Sequence, residues 1–171
     1  LKTLEEPPEF VTIILIGFNE SAFLDTIKSR CMILHFNKIS DENILRFLEE
    51  NYQTKVNSQI MLEAFQGSIG KAIQLQDKQE EYEQIENVIV NLEKRDKIDT
   101  LNGAEIIYKA KDEKFEILDY INIILLDMAR KSGKYANCIN IVEDTKKRLQ
   151  SNANYDMCID NMLLKLWEQI N

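Results

Sequence analysis

Chain breakers are scarce in this sequence. Five glycines and two prolines serve 171 residues, and both prolines sit together at Pro7 and Pro8. Such scarcity favours long helices. Cysteine is scarce too: Cys31, Cys138 and Cys158 are odd in number and widely spaced, with no C-x-x-C pair and a single histidine. That indicates neither a disulfide framework nor a zinc site, and fits a reducing cytosol. No long apolar run exists. The best, Val11 to Phe18, is far too short to span a bilayer, and no basic stretch followed by a signal-like core opens the chain. A soluble, cytoplasmic protein without membrane partners is expected. Nor is there an excess of positive charge: 21 Lys and Arg stand against 29 Asp and Glu, a net charge of -8 that phosphate backbones would repel. The short basic runs Lys146 to Arg148 and Glu93 to Lys97 read as solvated helix faces.

What is present is material for a globular fold, since 44% of the residues are apolar. Residues 1 to 5 read as the tail of a helix stopped by Pro7-Pro8. Thr12 to Gly17, "TIILIG", is a continuous apolar and β-branched run, as in a strand buried on both faces. Ser21 is expected to cap a short helix through Ile27. "MILHF" at Met32 to Phe36 is expected to be a second strand, with His35 a packed core residue rather than a ligand or base. Strands joined by a helical crossover imply a parallel α/β sheet. Two strands cannot make one alone, so these residues are expected to end a larger domain.

From Ser40 the pattern is helical. Ser40 precedes "DENILRFLEENY", with Ile44, Leu45, Leu48 and Tyr52 at helical spacing and acids in the first turn. Ser58 opens "QIMLEAFQ", Gly67 closes it, and Ser68 caps a third helix that can run on through the polar stretch Asp77 to Gln84. That stretch is either an exposed mid-helix face or a bridge between domains, and a boundary is placed there. Four or five further helices follow. In the last, Ile159, Met162, Leu163, Leu166 and Ile170 form one apolar stripe. Trp167, Tyr155 and Phe115 read as core or interface anchors.

One residue is oddly placed. In "TIKSRC", Thr26 to Cys31, Arg30 stands between an amphipathic helix and an apolar strand, where a turn accepts almost any polar residue. Four roles compete: a helix-end charge, a salt-bridge partner, an anion ligand for this chain, or an anion ligand for another chain. As a helix-end charge it would contribute about 0.3 to 1 kcal/mol, and Lys28 already stands in that last turn.

"LKTLEEPPE" at Leu1 to Glu9 lies about 25 residues upstream of the SRC tripeptide, and "GSIGKAIQL" at Gly67 to Leu75 about 35 downstream. In that order and spacing these elements resemble the second half of a clamp-loader subunit of the AAA+ class. The resemblance covers the first 80 residues. Later helices match the clamp-loader collar in character, and "SNANYDMCIDNMLLKLW" is similar to its last helix. The resemblance implies a mainly α chain: the C-terminal end of an AAA+ α/β domain at 1–39, a three-helix lid at 40–79 and a helical collar at 80–171. It implies that Arg30 is an arginine finger reaching the γ-phosphate of Mg-bound ATP on a neighbouring subunit, with Ser29 and Cys31 shaping the turn that presents it. A bidentate, permanently charged guanidinium suits the spread charge of a transferring phosphoryl group. The implied partners are the other loader subunits, motor (gamma/tau) and delta, and through them the sliding clamp and primer-template DNA, as part of a bacterial DNA polymerase holoenzyme.

The sequence departs from an ATP-hydrolysing member of that class at two places. The polar sensor expected at the end of the strand falls on Phe18, which cannot orient water, although a one-residue shift would put Asn19 there. The lid arginine that would touch the subunit's own γ-phosphate falls on Gly70, followed by Lys71. A close helix approach that excludes a side chain is the alternative reason for that glycine. No G-x-x-x-x-G-K-[ST] phosphate cradle occurs in these residues, so the chain itself is expected to bind no cofactor. Glu5 and Glu6, paired acids beside the Pro-Pro turn, read as solvated. No nucleophile has a base at interpretable spacing, so no independent active site is expected.

Overall fold

The computed structural model describes residues 2–17, 19–56 and 58–171. These form two compact units, residues 1–37 and 38–171, and the chain is mainly α, with no strand among the described residues.

The first unit holds α1 (Lys2–Glu5), a 3-10 turn at Glu20–Ala22 and α2 (Asp25–Lys28). As expected, α1 ends before Pro7-Pro8, where proline sterics disfavour helical geometry in the preceding residue. The expected single helix from Ser21 to Ile27 is two short pieces. Asn19, not Ser21, is the cap, its side chain accepting from Ser21 N–H at 2.9 Å, and Phe23 and Leu24 are extended between the pieces. Neither expected strand is formed. Residues 11–17 and 32–36 carry strand composition but no ladder, and Ile14, Ile16, Leu34 and Phe36 are 69 to 93% exposed. A strand is a non-local structure: β-branched composition favours it, but parallel pairing needs neighbours on either side that this unit does not hold. His35 is accordingly exposed, 3.8 Å from Glu20 Oε2, rather than packed in a core.

The second unit contains α3 (Asp41–Tyr52), α4 (Gln59–Phe65), α5 (Ile69–Asp77), α6 (Gln79–Val90), α7 (Lys97–Asn102), α8 (Ala104–Lys109), α9 (Lys114–Lys131), α10 (Cys138–Gln150) and α11 (Tyr155–Ile170). Ser40, Ser58 and Ser68 each cap a helix, accepting from the N–H of Asn43, Met61 and Lys71. Each bond satisfies one of the donors that a helix start leaves unpaired. Gln66 and Gly67 are both left-handed after α4, and Gly67 C=O accepts from Ile39 N–H at 3.0 Å. A Cβ on Gly67 would stand 2.4 Å from Lys38 Cβ, so the position requires glycine both for its backbone and for the close approach.

The third helix of this unit does not run on through the polar stretch. Lys78 leaves helical geometry and ends α5, and α6 starts at Gln79. The core nevertheless continues across this break. Phe65 on α4, Ile85 and Ile89 on α6 and Ile121 on α9 are fully buried in one cluster with α11 residues Ile159, Met162, Leu163 and Leu166. The α11 stripe is therefore buried as expected, and each such side chain contributes roughly 1.5 to 3 kcal/mol of transfer free energy. Tyr155 is buried and donates to Ile107 C=O at 2.8 Å. Half-buried Trp167 donates from Nε1 to Arg95 C=O at 2.7 Å, tying the segment before α7 to α11. Lys146 is no solvated residue of a basic run: its side chain is 14% exposed and pairs with both Asp119 and Glu143.

Candidate functional site

The segment that presents Arg30 is built by the end of α2. Asp25, Ile27 and Lys28 supply carbonyls to a run of short-range bonds: Ser29 N–H to Asp25 C=O at 2.9 Å, Arg30 N–H to Ile27 C=O at 3.0 Å, and Cys31 N–H to Lys28 C=O at 3.4 Å. The helix thus tightens into three-residue bonding and unwinds over the SRC tripeptide, a common way to satisfy the last carbonyls of a helix. Ser29 contributes its side chain as well, its Oγ donating to Thr26 C=O at 3.3 Å. Cys31 is half-buried with a free thiol. Both flanking residues therefore belong to the turn.

Arg30 extends from this turn with its side chain 36% exposed. Its Nη1 donates to the same Thr26 carbonyl at 2.6 Å. Its Nη2 lies 3.0 Å from Glu5 Oε1. Lys28 is paired with Asp25 at 2.7 Å, so of the two cations at this helix end it is the arginine that meets a carbonyl. Two of the four competing roles, helix-end charge and salt-bridge partner, are therefore realised within the first unit. Both contacts are surface contacts, and exposed pairs of this kind are worth about 0 to 1 kcal/mol, little enough for an approaching polyanion to displace. Beside the guanidinium runs an apolar groove of about 670 Å³, lined by Leu4, Val11, Ile13, Leu15 and Leu34.

Glu5 is the residue that sequence reading missed. It is exposed, as expected of a solvated acid beside the Pro-Pro turn, and it also pairs with the arginine. No spacing rule links positions 5 and 30, and the only legible signal is that each lies in one of the elements that carry the resemblance, LEEPP and SRC.

Of the two sensor positions, Phe18 lies outside the described residues. Asn19 uses its side chain as the cap of the 3-10 turn. Gly70 occupies the first turn of α5, and a Cβ placed there would meet only Ser68 Oγ, at an ordinary 3.8 Å. Close packing does not demand this glycine, and the position has room for a side chain. Lys71, next to it, donates to Gln66 Oε1 at 2.6 Å. Among the described residues, no group of His, Cys, Asp and Glu side chains is placed to hold a metal ion, and no helix is long and apolar enough to cross a membrane.

Residues 1–40, which contain Glu5 and the SRC turn, match the family described as "DNA polymerase III, delta subunit". The chain is also similar to DNA polymerase III subunit gamma of Buchnera aphidicola from Schizaphis graminum, 43% identical over 49 residues, and to the same subunit of the strain from Acyrthosiphon pisum, 45% identical over 49 residues. In each case the match covers 29% of this chain and 14% of the relative. The family match and both relatives align with a minor part of the chain, and the matched stretch spans about one seventh of the length of those relatives. No solved structure matches.

Proposed function

We propose that this chain is the C-terminal portion of a non-hydrolysing subunit of the bacterial replicative clamp loader, of the delta-prime type, and that Arg30 is offered in trans to Mg-bound ATP on an adjacent motor subunit. The observation that carries this reading is the contrast between Arg30 and Gly70. The arginine that serves another chain's nucleotide is present, exposed, and held only by surface contacts. The lid position that would serve the chain's own nucleotide is a glycine in open space, where a side chain would fit. In this reading residues 1–39 end the nucleotide-binding domain, residues 40–79 are its lid, and residues 80–171 form the collar. The lasting subunit contact comes from the collar, because helix faces associate without regard to the nucleotide. Contact with the sliding clamp and primer-template DNA is made through the complex.

A second reading is an ATP-hydrolysing gamma/tau-type motor of the same complex, and the similarity to two gamma subunits favours it. ATP hydrolysis by the purified full-length protein separates the two. The non-hydrolysing reading expects no turnover from the protein alone and turnover when it joins motor subunits, primed DNA and clamp. DNA-stimulated turnover by the protein alone, with an intact G-x-x-x-x-G-K-[ST] in its full-length sequence, establishes the motor reading instead.

A further inference from the structure

We infer that Glu5 is a parking group for Arg30, holding the guanidinium against this subunit until a neighbour's phosphate competes for it; this rests on the trans-arginine reading above. The geometry is specific. Nη2 is 3.0 Å from Glu5 Oε1 and Nη1 is 2.6 Å from Thr26 C=O, so both terminal nitrogens are engaged within the unit. Those two nitrogens form the fork with which a guanidinium grips a tetrahedral or planar anion bidentately. A phosphate arriving at that fork meets a donor pair already in use and a carboxylate whose charge repels it at close range. The Glu5 contact must therefore be given up, whereas the neutral Thr26 carbonyl can stay and fix the direction of the side chain. Glu5 sits on α1 just before Pro7-Pro8 and Arg30 just past α2, so a movement of α1 relative to α2 on subunit docking would release the finger without refolding either element.

The test is Glu5→Gln in the full-length protein, reconstituted with its motor subunits, primed DNA and sliding clamp, alongside Arg30→Ala and the double variant. At low ionic strength Glu5→Gln is expected to lower the half-saturating ATP concentration at the neighbouring site by about two- to fivefold, the range an exposed ion pair supports, with maximal turnover unchanged. The difference is expected to shrink toward 1 M salt, where the screening length falls to about 3 Å. In the Arg30→Ala background Glu5→Gln is expected to change nothing, and an unaltered melting temperature separates this effect from loss of folding. If Arg30→Ala abolishes stimulation while Glu5→Gln leaves half-saturation unchanged or raises it, Glu5 does not park the finger and the trans-arginine reading survives. If Arg30→Ala leaves turnover unchanged in a complete complex, that reading is wrong and the parking role falls with it.

Discussion

Lys146 is held by more charge than any single carboxylate supplies. Its Nζ lies 2.6 Å from Asp119 and 2.7 Å from Glu143, and Asn122 donates to the same Glu143 oxygen at 2.5 Å. Burial would lower the lysine, but the two carboxylates outweigh it and hold it above its ordinary value. Glu143 is held below its ordinary 4.5, chiefly by its hydrogen bond from Lys146. The signs follow. A depressed carboxylate stabilises the fold fully above about pH 4.5 and loses that contribution as pH falls through its folded value; a raised lysine loses its contribution only as pH rises above 10.5. Urea unfolding across pH is therefore expected to show a plateau through neutrality and a fall beginning below about pH 4.5. Lys146→Met should flatten the part of that fall due to Glu143 and cost about 1 kcal/mol, since it removes the cation shared by two carboxylates that are themselves about half exposed, while Asn122 keeps its bond to Glu143. Equal acid sensitivity in the variant and the parent would contradict the assignment.

Among the elements, the helices were legible and the strands were not, and the difference is physical. Ser40, Ser58 and Ser68 act within one turn of themselves, so local sequence suffices to locate the starts of α3, α4 and α5. Residues 11–17 and 32–36 have the composition of strands, but a ladder depends on what lies alongside, and composition does not record that. Their exposure also moved His35 from the expected core to the surface. Two turns escaped for a related reason: Lys78 interrupts an otherwise continuous helical pattern, and Asn19 takes the capping role that Ser21 was equally able to fill. The Gly67 junction is the element most sensitive to a single methyl group. Gly67→Ala puts a side chain in the left-handed region and against Lys38, and is expected to lower the unfolding free energy by about 1 to 3 kcal/mol. Gly70→Ala, in open space on α5, is expected to be neutral or slightly stabilising. Paired thermal melts of these variants check both, and equal effects at the two positions would refute the distinction.

For the whole molecule, one core spans residues 38–171, so disturbance of α11 should be felt by α3, α4 and α5 too. Leu163→Ala, at a position with no exposure, is expected to cost about 2 to 5 kcal/mol in a single cooperative unfolding transition. Two separated transitions would mean that the helices before and after residue 79 fold independently. The site was legible in part. Arg30 could be singled out because LEEPP, SRC and GSIGKA stand in the order and spacing that carry the resemblance, and Gly70 because a missing side chain is visible in a sequence. Glu5 could not, because an ion pair between distant segments leaves no periodic trace. The central claim is that Arg30 serves a phosphate on another subunit, and its most direct measurement is ATP turnover at the neighbouring site, with the complex's other sites disabled, comparing parent and Arg30→Ala. The account predicts loss of at least tenfold and up to roughly 10³-fold, toward the lower end of what trans-acting arginines contribute, with subunit assembly intact. Unchanged turnover in an assembled complex would contradict it.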